Sequence, residues 1–419
     1  MKQDHLGFFI FLFCLLIAPE ISLGGLAGLP GRANLSLGLV GLIIWIMLSP
    51  KHLIRVKRLF YSTPAYGMVV FSIYSLLISF VSQNMTSMLY ASQFFVYAFL
   101  VFRMVSGYLV DAVKNNQLKV TSRIFLLITS IVIIGTILSV WLGPIYPEQA
   151  FWRARKVEDR WIQRAVGFTG NPNSAGAILL LLVPLCLSFL PSTANRERLI
   201  LALLGVVAIL TTFSRSAILS GAVAICVVLI VHGLKALAVG RVKVKLINTV
   251  LALIVIMVLF MVSAVALLST ESASWLGAFG LGADIEGLEE RVTIWNIWYS
   301  KWTEMSLISQ LFGAGFRSGA EVSIYGTFMT PHNFYIEVLF DFGIFGLLLF
   351  ILPLVWAILH ALARVITLRQ TNIEDMVLIG MLASAIHNMS ETFFYSPAIL
   401  SLILILMLLF EIYVSVITH

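Results

Sequence analysis

Apolar runs of bilayer length recur from one end of this chain to the other, and a soluble core cannot absorb so many of them. A helix crossing the hydrocarbon layer needs about 20 predominantly apolar residues. Twelve stretches read as such spans: 6–23, 35–50, 63–82, 87–110, 123–142, 174–191, 198–213, 215–232, 246–269, 333–361, 376–390 and 396–417. With 60% hydrophobic residues, 11% charged ones and a mean hydropathy of +1.00, an all-α polytopic membrane protein is predicted. Lys2 before the first apolar run imitates a secretory signal. The length of that run and the eleven spans after it favour an uncleaved first helix.

A net charge of +7 would suggest a nucleic-acid partner in a soluble protein. Here the positive-inside bias accounts for most of the excess, and no nucleic acid is expected. With the amino terminus in the cytoplasm, sixteen of the 27 Lys and Arg residues fall on that side: Lys2, Lys51, Arg55, Lys57, Arg58, Lys114, Lys119, Arg123, Arg196, Arg198, Lys235, Arg241, Lys243, Lys245, Arg364 and Arg369. Both termini are then cytoplasmic. Cys14, Cys186 and Cys226 all lie within spans and read as small packing residues; their spacing fits neither a disulfide frame nor a metal site.

Two connections are too long for turns, and the same charge argument puts both outside. They divide the chain into N-terminal helices 1–142, a first external loop 143–173, and a transmembrane region 174–419 that contains a larger external loop, 270–332. The first loop carries Arg153, Arg155, Lys156, Arg160 and Arg164. It reads either as a basic surface for an anionic partner or as an amphipathic helix lying on lipid headgroups. In the second loop, 284–304 is predicted helical, with Asp284 as cap and Glu286, Glu289 and Glu290 in the early turns. Helical spacing puts Arg291, Trp295, Trp298 and Trp302 on one face, which suits either an interfacial anchor or a platform for sugar and phosphate. The glycines of Phe312–Gly313–Ala314–Gly315–Phe316–Arg317 read as tight-turn residues, since no strand precedes them as a nucleotide fold would require. No Walker, His-Glu-x-x-His or clustered-cysteine sequence occurs, so neither nucleotide nor metal cofactor is expected.

Arg215 interrupts the apolar stretch Leu199–Val231 with no acidic residue close by in sequence. A permanent charge there must face protein, water or the headgroup boundary, and an anion site is the natural use for it. Pro331 and His332 open the tenth span, where the amino-terminal dipole would keep the imidazole neutral and available as a base. Glu337 and Asp341 lie roughly 7 and 13 Å deeper at 1.5 Å per residue, placed to pair with Arg215 or to orient His332; a purely structural acid pair is the alternative. His387, Glu391 and Tyr395 cluster at the outer end of the eleventh span, and Asn171–Pro172–Asn173 opens the sixth.

Four ordered features are similar to those of the O-antigen ligase and polymerase family of bacterial envelope glycosyltransferases. They are Gly170–Asn171–Pro172–Asn173–Ser174–Ala175 before a span; Ser214–Arg215; Arg291 and Trp295 ahead of Gly313–Ala314–Gly315; and His332–Asn333 with Gly343 and Gly346 beyond. The likeness covers about 165–400. It implies a metal-independent, inverting glycosyltransferase at the periplasmic face of the inner membrane. The donor would be a glycan on undecaprenyl pyrophosphate, and the acceptor a second glycan or the lipid A core, with a chain-length regulator as an optional partner. By the same resemblance Arg215 and Arg291 match the family's pyrophosphate-binding arginines and His332 the base. Arg317, Asn333, Asn171, Asn173 and Trp295 would line the substrate, supported by Glu337, Asp341, His387 and Glu391. The Asn-Pro-Asn segment is closer to polymerases than to ligases. The competing reading is a secondary transporter or a flippase of lipid-linked glycan, which calls for internal repeats and broken helices near the midplane. The two halves of the chain show no such repeat, and the polar residues gather at the outer rim.

Overall fold

The computed structural model describes residues 3–17, 37–54, 63–142, 154–157, 160–190, 194–238, 285–318, 323–324, 327–328, 330–367, 372–392 and 395–417. The expected span 246–269, Asp284 and Arg153 lie outside these residues. Helices dominate: α1 Gln3–Ile17, α2 Leu37–Leu48, α3 Lys51–Ile54, α4 Pro64–Val81, α5 Met85–Lys114, α6 Leu118–Leu142, α7 Pro172–Phe189, α8 Asn195–Thr211, α9 Arg215–Ala238, α10 Ile285–Thr303, α11 Leu307–Phe312, α12 Phe334–Thr367, α13 Asn372–His387 and α14 Pro397–Ile417. Two small antiparallel hairpins accompany them. β1 Ala154–Val157 pairs with β2 Arg160–Gln163, and β3 Ser323–Ile324 with β4 Thr327–Phe328. The loop 143–173 thus holds a strand pair where an amphipathic helix was the alternative.

Eleven of the twelve expected spans coincide with a helix. Seven of these are long and apolar enough to cross a membrane, namely α4, α5, α6, α7, α9, α12 and α14, so seven of the expected crossings are supported among the described residues. The helices α1, α2, α8 and α13 are shorter than 18 residues.

Sequence sets where the helices begin. Thr63 and Asn84 accept backbone N–H groups at the starts of α4 and α5, and Asn171 does so for α7, with Pro64 and Pro172 just inside. Inside the bundle α7, α13 and α9 pack together, α4 lies along α12, and α14 fills the space between α5 and α7. Its residues Leu400–Phe410 are almost wholly buried. On α10, Trp298 is buried edge-on against Phe340 of α12 at a centroid distance of 5.0 Å, beside Ile294. The tryptophan stripe therefore docks α10 onto α12, and burying two such rings is worth several kcal/mol.

The tenth span, expected to be continuous, is broken. Gly343 has φ 65° and ψ −170°, which divides α12 into an outer piece and a longer inner one. Tyr74 of α4 donates its hydroxyl to the carbonyls of Phe312 (3.1 Å) and Phe342 (3.2 Å), satisfying backbone that the break leaves open. Gly313 and Gly343 both have positive φ, and a Cβ on either would collide with the facing backbone. Both glycines permit this close approach; the sequence reading makes Gly313 a tight-turn residue, and its positive φ fits that while its contacts add a packing role.

The chain alternates between two ends of the bundle. At one end lie the turns at 82–84, 164–171, 212–214, 313–318, 330–333, 388–392 and 395–396. At the other lie Asp4 with Lys51, His232 with Asp375, and His360 with Glu411, together with Lys114, Lys119, Arg196 and Arg364.

Candidate active site

The first of these ends holds nearly every polar residue that the sequence singled out. At the start of α7, Asn171 Oδ1 accepts the N–H groups of Asn173 (2.8 Å) and Ser174 (3.4 Å). Asn173 is thereby fixed in the first turn, and its amide bonds in two directions. Its Nδ2 donates to Glu391 Oε1 at 2.7 Å, and its Oδ1 accepts from Arg164 Nη2 at 3.1 Å. Arg164 also donates to the carbonyls of Thr212 (3.1 Å, from Nε) and Phe213 (3.3 Å, from Nη2). Those carbonyls close the carboxyl end of α8, where helix geometry leaves acceptors unfilled and the dipole is negative. Phe213 adopts φ 47°, and Arg215 follows as the first residue of α9. Arg215 therefore sits at a helix junction on the rim, not midway along an apolar helix.

Glu391 is the hub of the arrangement. Its side chain is 5% exposed, and the oxygen that binds Asn173 also accepts from Arg291 Nη2 at 3.3 Å, while Arg291 Nη1 donates to Ser390 O at 3.1 Å. The other oxygen, Oε2, lies 3.6 Å from His332 Nδ1. Donors to a buried carboxylate contribute about 1.5–3 kcal/mol each, which is why such a group persists out of water. His332 is held from both flanks. Trp295 Nε1 donates to the Pro331 carbonyl at 2.8 Å, and Phe334 N donates to the Asn388 carbonyl at 2.9 Å. Asn333 Oδ1 caps α12 through the N–H groups of Tyr335 and Ile336. The imidazole itself stays 46% exposed at a residue with φ 46°. His387 is buried beneath, within reach of the Ser216 and Asn173 backbone and of the charges on Glu391 and Arg291. Through Ser216 the residue next to Arg215 touches this same cluster.

A second cluster lies beside the first. Asp341 accepts the Arg317 backbone N–H (2.7 Å), the Ser318 hydroxyl (3.1 Å) and the Tyr395 hydroxyl (3.3 Å). The Arg317 guanidinium rests 4.9 Å from the centre of the Tyr90 ring. Glu337 is buried one turn above Asp341. The sequence expectation that these two acids orient His332 is corrected. The Asp341 bonds run to the 317–318 strap, and the acid facing His332 is Glu391, from a connection 59 positions away in sequence. A recurrent feature is backbone strain: Phe213, Arg317 and His332 all take left-handed φ without being glycine. Each such residue costs about 1–3 kcal/mol and survives only where its surroundings hold it in place.

Of the residues expected from sequence, His332, Arg291, Glu391 and Asn173 form one connected set, with Arg215 and His387 alongside. Asn171 and Asn333 spend their side-chain oxygens on helix caps, and Trp295 acts on Pro331. Arg317, Asp341 and Glu337 belong to the second cluster. Sequence reasoning did not single out Arg164 or Ser390 as part of the site. Arg164 was counted among loop cations; its place seven residues before the Asn171 cap was the available signal. Chemically, a set of guanidinium groups beside one solvent-facing imidazole can hold an oxyanion and take up a proton.

Residues 200–351 match the family model described as O-antigen ligase. The matched stretch includes Arg215, Arg291, Arg317, His332, Glu337 and Asp341. Among curated proteins none matches the chain.

Proposed function

From the match of residues 200–351 to the O-antigen ligase family model and the helices long and apolar enough to cross a membrane, we propose a bacterial membrane glycosyltransferase that uses a glycan on undecaprenyl pyrophosphate as donor and a sugar hydroxyl as acceptor. The reaction takes place at the periplasmic face of the inner membrane, with both termini cytoplasmic. One observation carries the reading: the buried carboxylate of Glu391 binds Arg291 and Asn173 and faces His332 Nδ1, bringing an anion-holding group and a proton acceptor onto one support. The concentration of Lys and Arg at the opposite end supports the orientation.

In this mechanism Arg215 and Arg291 hold the pyrophosphate, whose negative charge grows as the anomeric carbon–oxygen bond breaks and the electron pair moves to the leaving oxygen. Planar guanidinium forks suit that task, and charges fixed in place beforehand favour the transition state over the ground state. The acceptor oxygen attacks the opposite face of the anomeric carbon, giving inversion, and its proton passes to His332 Nε2. With Nδ1 turned to Glu391, Nε2 is the free lone pair of the neutral ring. Glu391 then balances the imidazolium.

A transporter reading gains a broken helix, at Gly343. That break is filled by Leu311 and Gly313 and closed by Tyr74, whereas a transport site needs unwound backbone lining a cavity. The enzyme reading is the better supported.

Alanine at His332, Arg215 or Arg291 should abolish transfer while the protein remains inserted, scored by glycan gels of a deletion strain carrying each variant. Wild-type glycan from all three would reject the mechanism. The deletion strain itself separates subclasses. Core without O-antigen marks a ligase, and core with one repeat unit marks a polymerase, the option we favour from Asn171–Pro172–Asn173. Intact lipopolysaccharide with lost secreted polymer marks an exopolysaccharide system.

A further inference from the structure

We infer that Arg164 is a positioning residue that sets the two anion-holding arginines and the base into a single constellation; the inference rests on the glycosyltransferase reading above. Arg164 comes from the segment before α7, outside the stretch that matches the family model. Its guanidinium spans two elements at once. Nε and Nη2 bind the Thr212 and Phe213 carbonyls at the end of α8, and Nη2 also binds Asn173 Oδ1 in the first turn of α7. The adjoining backbone reinforces the joint, because Ala165 N donates to Thr211 O at 2.9 Å.

The first pair of bonds fixes the turn that presents Arg215. Phe213, two residues ahead of it, has left-handed φ, a conformation that persists where its surroundings hold it, here the Arg164 bond to its carbonyl together with its own N–H bond to Leu210 O. A cation at this place also offsets the negative end of the α8 dipole. The third bond orients the Asn173 amide. With Oδ1 taken by Arg164, Nδ2 is the atom left to face Glu391, and that same Glu391 oxygen receives Arg291. Arg164 thus connects to Arg215 through the α8–α9 turn, and to Arg291 and His332 through Asn173 and Glu391. A displacement of about 1 Å in such groups costs roughly a hundredfold in rate. Lysine can replace one donor of the fork but cannot reach carbonyls and amide together.

The test uses full-length protein in detergent with undecaprenyl pyrophosphate as the binding probe, and thermal melting to follow folding. Arg164→Ala should weaken probe binding about tenfold with the fraction of folded protein unchanged, and Arg164→Lys should recover part of the loss. In an Arg215→Ala background, Arg164→Ala should cost distinctly less than in wild type, because the group it orients is gone. Wild-type binding by Arg164→Ala, or a loss equal in both backgrounds, overturns the inference. Unaltered binding by Arg215→Ala itself would instead sink the functional reading on which the inference rests.

Discussion

Glu391 serves two opposite tasks with one charge. Toward Arg291 and Asn173 it is a structural anchor, and toward His332, in the mechanism we propose, it is the counter-charge for a proton taken up in the reaction. Glu391→Gln keeps the shape and an acceptor oxygen but removes the charge. Losing charge-assisted bonds of about 1.5–3 kcal/mol should lower the transfer rate by roughly 10- to 100-fold, measured as initial rates with a lipid-linked donor. Glu391→Asp keeps the charge yet shortens the reach, and should recover only part of the rate. The individual residues of this hub were legible in sequence, because a charge or an amide at the end of an apolar run is conspicuous. Their pairing was not. Glu337 and Asp341 lie on the helix that starts two residues after His332 and are the nearer acids in sequence, whereas Glu391 comes from the connection that follows α13, a contact no local spacing encodes.

At the scale of elements, the apolar runs located the helices well, and the Asn-Pro pair at 171–172 marked the start of α7 as a cap and first-turn proline should. The break in α12 stayed hidden because a glycine within a run such as Phe340–Leu349 looks like any helix-packing glycine. Only its partners reveal its role. A Cβ on Gly343 would lie 2.4 Å from the Leu311 carbonyl, at a φ that side chains avoid. Gly343→Ala should therefore destabilise the protein by more than about 1–3 kcal/mol, seen as a clear fall in melting temperature. Gly221→Ala is the contrasting case. There the new methyl meets only the flexible Leu180 Cδ2, at 3.0 Å, and gains about 1 kcal/mol of helix propensity, so melting should shift little. The Trp298 and Trp302 stripe was readable as a face but not as a docking face, since periodicity shows which side chains align and not what they meet.

For the whole molecule, the two ends of the bundle predict opposite accessibility. Single cysteines replacing exposed Met389 at the reactive end should react with a membrane-impermeant thiol reagent added to intact spheroplasts. Cysteines replacing exposed Asn116, at the end with Lys114 and Lys119, should react only after permeabilisation. The reverse pattern would invert the orientation. The expectation of about twelve crossings came from counting apolar runs; among the described residues seven helices have the length and hydropathy of a crossing, and four more of the expected spans are shorter helices. The break at Gly343 has a bearing on how this body meets its lipid. Inward of it α12 runs 24 residues to Thr367, about 36 Å at 1.5 Å per residue, enough to traverse the hydrocarbon without help from Phe334–Phe342. In a thinner or thicker bilayer the long shaft can lean to suit, while the nine-residue crown, fastened sideways to α10 and α11, keeps its bearing over the His332–Glu391 cluster.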